Sequence, residues 1–391
     1  MREYFDQVPE RKNTDCVKWK AYGDDVLPLW VADMDFRAPE PVLRALHERV
    51  EHGIFGYPCD PDELRQVILA RLEERYQWRV QPEAIVFLPG VVTGFNLACH
   101  AFGQPGGGLL VQPPVYHPIL NAHEHVDMVR QESQLCQDEN GSYYIDWDSF
   151  EQAIDGRTRM FILCNPHNPV GRVFCEDELQ RMAEICLRRN VLICSDEIHG
   201  DLIYEGHRHI PIASLAPEIE QQSITLMAPS KTFNLPGLQC AFAVIPNKEL
   251  RTRYVNAKKG LVSWVNVMGL AAAKAAYESG GEWLKGLLAY LQENRDYLAE
   301  YVQANLPGVR MVKPEGTYLA WLDCRQTAEE VSQDPYNFYL KQGRVALNDG
   351  KIFGAGGEGF VRLNFGCPRS TLEEALIRMS TALQQAVRVQ S

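Results

Sequence analysis

The sequence predicts a layered α/β domain with a mainly parallel sheet, joined to a smaller α+β lobe. Three observations point there. From about Ala84 onward, short apolar and β-branched runs alternate with longer amphipathic stretches. After Pro246 that rhythm gives way to long helical segments, which marks a change of domain. And 391 residues, 46% of them hydrophobic, are enough for one large core with a smaller partner.

In chain order, the segment through about Pro41 has turn residues and aromatics with little periodicity. It is expected to wrap over the surface or to pack on the smaller lobe. Its phrase LPLWVADMDF sets Asp33 and Asp35 in an apolar run, where acids need hydrogen-bonded backing if buried; they read as a capped turn or as the lining of a cleft mouth. The strand candidates are AIVFL, GLLVQ, VDMVRQ, RMFILC, VLICSDE, ITLMA and CAFAVI. Between the fourth and fifth lies CEDELQRMAEICLRRN, acidic at its start and basic at its end, a crossover helix. KELRTRYVNAKKG, VNVMGLAAAKAAYE and EWLKGLLAYLQENRDYLAEYVQANL read as helices. RMVKPEGTYLAWLDC, GKIFGAGGEGFVRLNFG and the closing helix LEEALIRMSTALQQAV complete the mixed lobe. The division expected is 42–280 for the large domain, with 1–41 and 281–391 forming the smaller one.

Charge narrows the partners. Thirty-nine Lys and Arg against 51 Asp and Glu give a formal net charge of −12, which disfavours nucleic acid and anionic membrane. No apolar run approaches the roughly 20 residues of a membrane span, so a cytoplasmic protein is expected. The eleven cysteines are scattered, odd in number and free of CxxC pairs, so most of them read as small buried hydrophobes, Cys164 and Cys194 among them. His123, Glu124 and His125 read as a solvated turn, because neighbouring residues seldom converge on a metal without a third partner.

Several segments carry chemistry. In APSKTFNLPG, Lys231 follows an apolar strand and opens a loop of small residues, where partial desolvation would free its amine to attack a carbonyl. Asp196 ends the run VLICSD at the carboxyl end of a buried strand, where a carboxylate faces the ligand crevice; helix capping by Asp196 or Glu197 is the competing reading. Asn168 sits in the turn-rich CNPHNPVGR and offers an amide. Pro89–Gly90 couples a strand to a helix, so the Val91 and Val92 amides could take a phosphate. Arg362 stands inside the alternating strand pattern of EGFVRLNFG, costly unless it meets an anion; a substrate carboxylate and a structural salt bridge compete for it. Tyr116 in PPVYHPI could stack on an aromatic ring or simply pack. A covalent lysine, an acid for a pyridine nitrogen, a phosphate cradle and a cation for a carboxylate are together what pyridoxal phosphate requires.

In order and spacing, PGVVTG, PPVYHPI, NPHNPVGR, SDEIHGDL, SKTFNLPGL and GAGGEGFVRLNFGCPR resemble the class I/II aminotransferase family of fold-type I pyridoxal-phosphate enzymes. More narrowly, they and the N-terminal KWK and LPLWVADMDF look like its cystathionine β-lyase and cysteine-S-conjugate β-lyase branch, across roughly residues 11–369. The resemblance implies a three-layer, aspartate aminotransferase-like large domain. It implies that Lys231 forms the Schiff base with the cofactor, Asp196 pairs with the pyridine nitrogen, Asn168 contacts the phenolic oxygen and Tyr116 stacks on the ring. Ser230 with the Val91 and Val92 amides would bind phosphate, and Arg362 with Asn168 the substrate. A homodimer is implied, with Tyr57 reaching the neighbour's cofactor. His199 stands where ordinary aminotransferases commonly carry tyrosine, among the cofactor-binding residues, and Gln239 where they often carry a phosphate-binding arginine.

The expected activity is α,β-elimination from S-substituted L-cysteines. An aminotransferase and a pyridoxal-phosphate-binding regulatory protein acting through a partner are the alternatives.

Overall fold

Seven strands form the large sheet, in the order Ile85–Leu88, Ala241–Val244, Ser223–Met227, Leu192–Asp196, Thr158–Cys164, Gly108–Val111, Val129–Glu132. A computed structural model supplies this description for residues 2–390, with side chains through Ala386; the outermost limits of the expected domains, 1 and 391, lie outside the described residues. All neighbouring pairs are parallel except those of Ala241–Val244, which runs antiparallel to both its neighbours. The other six strands therefore deliver their carboxyl ends to one edge of the sheet. The amino end of Ala241–Val244 arrives at the same edge.

Both faces of this sheet are covered, and the strand Thr158–Cys164 shows how. Met160, Ile162 and Cys164 enter one buried cluster, while Phe161 and Leu163 enter the other. Apolar residues at both parities suit a parallel sheet covered on both faces, each full burial stabilising by about 1.5–3 kcal/mol. Helix Val91–Phe102 buries Phe95, Leu97, Ala98 and Cys99 on the first face. On the second, Glu176–Arg188 contributes Leu179, Met182, Ala183 and Cys186; its start is fixed by the Glu178 carboxylate, which accepts from Cys175 N at 3.0 Å.

A second sheet of four antiparallel strands runs Arg310–Met311, Leu319–Asp323, Phe360–Asn364, Asn348–Asp349. Helices Gly281–Asn305 and Arg369–Gln390 pack on it. The N-terminal segment joins this unit rather than wrapping the surface. Leu27–Pro28 pairs in parallel with Val345–Ala346, and Phe5, Leu29, Met34 and Phe36 are buried in the same core.

Two local expectations change. The run VDMVRQ is a strand only over Val129–Glu132, because its first residues finish a 3-10 turn and Asp127 adopts φ +53°. The alternation around Arg362 does not separate a wet from a dry face, since all of Phe360–Asn364 is buried. The eleven cysteines are free. Among the described residues no cluster of three metal-ligating side chains occurs, and no helix is long and apolar enough to cross a membrane.

Candidate active site

At the carboxyl edge of the large sheet lies a cavity of about 510 Å³, lined by the residues that follow the strands: Val91, Val92, Tyr116, Asn168, Asp196, His199, Ser230 and Lys231. Ligand crevices of open α/β sheets form at this edge because each strand hands over to a loop there. Gln239, at the incoming end of the antiparallel strand, lines the cavity with φ +50°.

Lys231 occupies the one-turn helix Pro229–Thr232, launched by Pro229 directly after the strand Ser223–Met227. Its side chain faces the cavity with protein on every other side. Burial, with Arg362 adding to it, brings the ammonium down from 10.5 to about 8, against the opposing pull of Asp33 and Asp196. Near neutral pH a usable fraction is therefore the free amine, as a carbonyl-attacking lysine needs. The amine donates to Ala32 O at 2.6 Å, and the Tyr318 hydroxyl donates to the same carbonyl at 2.8 Å.

Asp196 is 4% exposed, and its carboxylate accepts one hydrogen bond, from Ile198 N at 3.2 Å. Burial above all, with a smaller push from Glu197, raises it to about 7, although Ile198 N and Lys231 act the other way. The capping reading is thus realised only as a local turn, and one weak bond leaves a buried acid that gains from a cationic ring nitrogen. The neighbouring acid has a different life. Glu197 turns to the opposite face, where Ser195 Oγ donates to it at 2.8 Å and His209 Nε2 lies at 2.9 Å. His199 is buried, and burial together with Lys231 and Arg362 holds it far below the usual imidazole range, so the ring is neutral. Its Nδ1 has no hydrogen-bond partner among the described residues.

An uncapped helix start stands beside them. Helix Val91–Phe102 begins at Gly90, whose φ of −176° is ordinary extended backbone, and no side chain caps the first turn. The leading amides of a helix have no internal partners and carry the positive end of its dipole. A Cβ at Gly90 would meet no atom within 4 Å, so packing does not demand glycine there. What glycine does is keep the Val91 and Val92 amides reachable, with Ser230 across the cavity.

Arg362 closes the constellation from the second sheet. Its guanidinium is 4% exposed and donates to Asn168 Oδ1 at 2.9 Å, Trp30 O at 3.0 Å and Asn348 Oδ1 at 2.5 Å, over the Phe353 ring at 5.0 Å. No carboxylate pairs with it among the described residues, so the salt-bridge alternative is not realised. Its Nε lacks a partner as well. Burial lowers it to about 10, which leaves it cationic at neutral pH. A buried, unpaired guanidinium is expensive, and a ligand carboxylate is the partner that relieves it. Because Asn168 accepts from Arg362 through Oδ1, its Nδ2 remains a donor for the cavity.

Tyr57 does not join this group. It is 90% exposed and meets the Trp264 ring edge-on at 5.3 Å. Asp33 and Asp35 are ion-paired with Lys18 and Arg11, and of the two readings of their phrase the cleft-lining one is met, through Ala32. Tyr318 and Asn348 are site residues that no motif announced. A larger surface cleft, about 1100 Å³, opens near Arg172 and Arg325, but both guanidiniums are engaged, with Glu178 at 2.9 Å and Asp323 at 2.8 Å.

The buried acid, the lowered lysine, the open helix start and the unpaired arginine fit pyridoxal phosphate bearing an amino acid. Comparisons with known proteins agree. The family description "Aminotransferase class I and II" matches residues 24–379. Cystathionine beta-lyase PatB of Bacillus subtilis is 40% identical over 97% of this chain and 99% of its own. The crystal structure of OvoB is 44% identical with a TM-score of 0.92, covering 97% of this chain and 98% of the other. The PLP-bound C-S lyase from Staphylococcus hominis is 32% identical with a TM-score of 0.91, covering 97% of each chain.

Proposed function

Because the chain belongs to the aminotransferase class I and II family, we propose that the cavity around Lys231 makes it a pyridoxal-phosphate-dependent carbon–sulfur β-lyase acting on S-substituted L-cysteines. The observation that carries the reading is the buried Arg362 without a carboxylate partner beside a lysine brought down to about 8. The choice of lyase over transaminase rests on likeness to cystathionine beta-lyase PatB and to the C-S lyase structure.

Lys231, Asp196, Asn168, His199, Ser230, Tyr116 and the Val91 and Val92 amides would hold the cofactor, which when bound supplies an electron sink for the substrate's Cα. Arg362 takes the substrate carboxylate, and Asn168 fixes the guanidinium plane. Lys231, once free, is a neutral amine able to take the Cα proton. Asp196 keeps its negative charge only against a cation, so it favours a protonated ring nitrogen. His199, held neutral, would add no charge beside the bound group. The net reaction consumes one water and yields thiol, pyruvate and ammonia.

We further propose a homodimer formed over the patch of Ile54, Phe55, Tyr57, Leu261 and Trp264, all strongly exposed. Ser263, next to this patch, lines the cavity, which supports a reading in which a second copy's Tyr57 reaches it. We take 42–280 as the large domain and the remainder as the smaller one.

The test is L-cystathionine given to purified enzyme without a 2-oxo acid. Thiol and pyruvate in equal amounts are expected. Turnover only with a 2-oxo acid, giving a new amino acid, would assign an aminotransferase instead.

A further inference from the structure

The segment Trp30–Phe36 runs between the two halves of the site, held from both sides through its backbone. From the second sheet, Arg362 donates to Trp30 O at 3.0 Å, while Asn364 Nδ2 donates to Val31 O at 2.5 Å and to Asp33 O at 2.6 Å. From the other side, Lys231 donates to Ala32 O at 2.6 Å. Asn234 brackets Met34, accepting from its amide at 2.9 Å and donating to its carbonyl at 2.8 Å. Each asparagine stands within three residues of a proposed site residue, Asn364 of Arg362 and Asn234 of Lys231.

Beneath this segment lies a cluster of four charges. Lys18 is 0% exposed, its Nζ 2.7 Å from Asp35 Oδ2 and 3.3 Å from Asp33 Oδ1. Arg11 pairs with Asp33 Oδ2 at 2.8 Å and also contacts Asp35, which accepts from Trp19 Nε1 at 3.1 Å. Burying such groups is costly, and apolar residues of equal volume would hold a segment at least as firmly. What charged partners add is direction, because each bond has one geometry.

We infer that the Lys18–Arg11–Asp33–Asp35 cluster is a positioning device for the reaction, fixing Trp30–Met34 in the register where the Trp30 carbonyl sets Arg362 and the Ala32 carbonyl sets the free amine of Lys231. The inference rests on the lyase reading for its substrate only. Asp33 also acts through space. Burial works against its charge, but Lys18 and Arg11 outweigh that and hold it below the usual carboxylate range, and its charge is felt at Lys231.

Two holoenzyme variants test it, Lys18→Met and Asp33→Asn. The readouts are kcat/KM for an S-substituted L-cysteine and the pH midpoint of the visible absorbance of the lysine-bound cofactor. Arg362, Asp33, Asp196 and His199 are the charged and titratable groups that act on Lys231 or feel its charge. Lys18→Met leaves Asp33 less compensated, so the midpoint rises; Asp33→Asn removes the charge, so it falls. Shifts of about half a pH unit in opposite directions are expected. A loss in kcat/KM of about tenfold or more, shared between KM and kcat, should accompany them. A merely structural cluster would lower the melting temperature, and move the midpoint through the charge of Asp33, while leaving kcat/KM within about twofold of wild type. If Lys18→Met does not fold, Asp33→Asn alone decides by the loss in kcat/KM that accompanies the downward shift. Unmoved midpoints with kcat/KM within about twofold of wild type overturn the inference. A wild-type enzyme that releases no pyruvate, but whose midpoints shift in these variants, counts against the lyase reading and leaves the positioning role standing.

Discussion

Arg362 Nη1 donates to Asn168 Oδ1 at 2.9 Å, and that one bond ties the buried strand of the second sheet to the loop leaving the middle of the first. The guanidinium needs its planar fork for this, since it serves Trp30 O and Asn348 Oδ1 at the same time. A lysine keeps the charge and loses the geometry. Arg362→Lys is expected to lower kcat/KM for an S-substituted L-cysteine by about 10²–10³-fold, mainly through KM. Steady-state kinetics check it; an unchanged KM would remove Arg362 from carboxylate binding.

Lys231→Ala is expected to abolish pyruvate release, to below about a thousandth of wild type, because no other amine lines the cavity to attack a carbonyl or take the Cα proton. The folded protein should persist. In the cofactor-free state it should gain stability at neutral pH. The folded-state value of Lys231, about 8 against the ordinary 10.5, is depressed, so its contribution is present above the unfolded value and is lost as pH falls through about 8. Removing the side chain removes that loss. Thermal melts of both cofactor-free proteins at pH 7 check the sign, and a Lys231→Ala protein that still makes pyruvate at the wild-type rate would end the assignment.

Much of this site was legible because its parts are local. Asp196, Asn168, Lys231 and Gly90–Val91 each sit where an apolar strand meets a turn, and both signals lie within ten residues of one another. The carboxyl edge of a parallel sheet then gathers them with no further information. The segment Trp30–Phe36 was not legible in the same way. Its bonds to Lys231 and Arg362 span 199 and 332 residues, and they run through backbone carbonyls, which carry no side-chain signature. Lys18 carried no local signature of its burial, for a related reason. A lysine in a polar N-terminal stretch reads as solvated, and only the three-dimensional approach of Asp33 and Asp35 makes its burial possible. Tyr57 was singled out by resemblance, and a single chain places it on the surface, away from the cavity of the same chain.

The exposed patch around Tyr57 and Trp264 yields a concentration-dependent prediction. Large aromatics so exposed, beside Phe55 and Leu261, are what a self-complementary interface buries. A Trp264→Glu substitution places a charge in that patch and should convert the dimer to monomer, read by light scattering after size exclusion. Activity should fall with it if Tyr57 serves the neighbouring cavity. Tyr57→Ala should leave the dimer intact while weakening cofactor retention by about tenfold. A wild-type protein that is monomeric at micromolar concentration would refute the interface.

Asp196 makes the cofactor-free protein sensitive to pH in the direction opposite to Lys231. Its folded-state value is raised, to about 7 from 3.8, so the stability it contributes is fully present below the unfolded value and is lost as pH rises through about 7. At about 1.4 kcal/mol per pH unit the loss by pH 8 is on the order of 4 kcal/mol. Asp196→Asn keeps the shape and cannot ionise. The cofactor-free variant should therefore melt close to wild type at pH 4 and well above it at pH 8, the gap opening between pH 4 and 7. With pyridoxal phosphate bound the order should reverse, since the wild-type carboxylate then has its cation and the asparagine does not. Melting curves across that range, with and without cofactor, separate the two states. A pH-independent gap between variant and wild type would show that Asp196 is not the ionising group, and with it would fall the claim that burial primes this acid for a ring nitrogen.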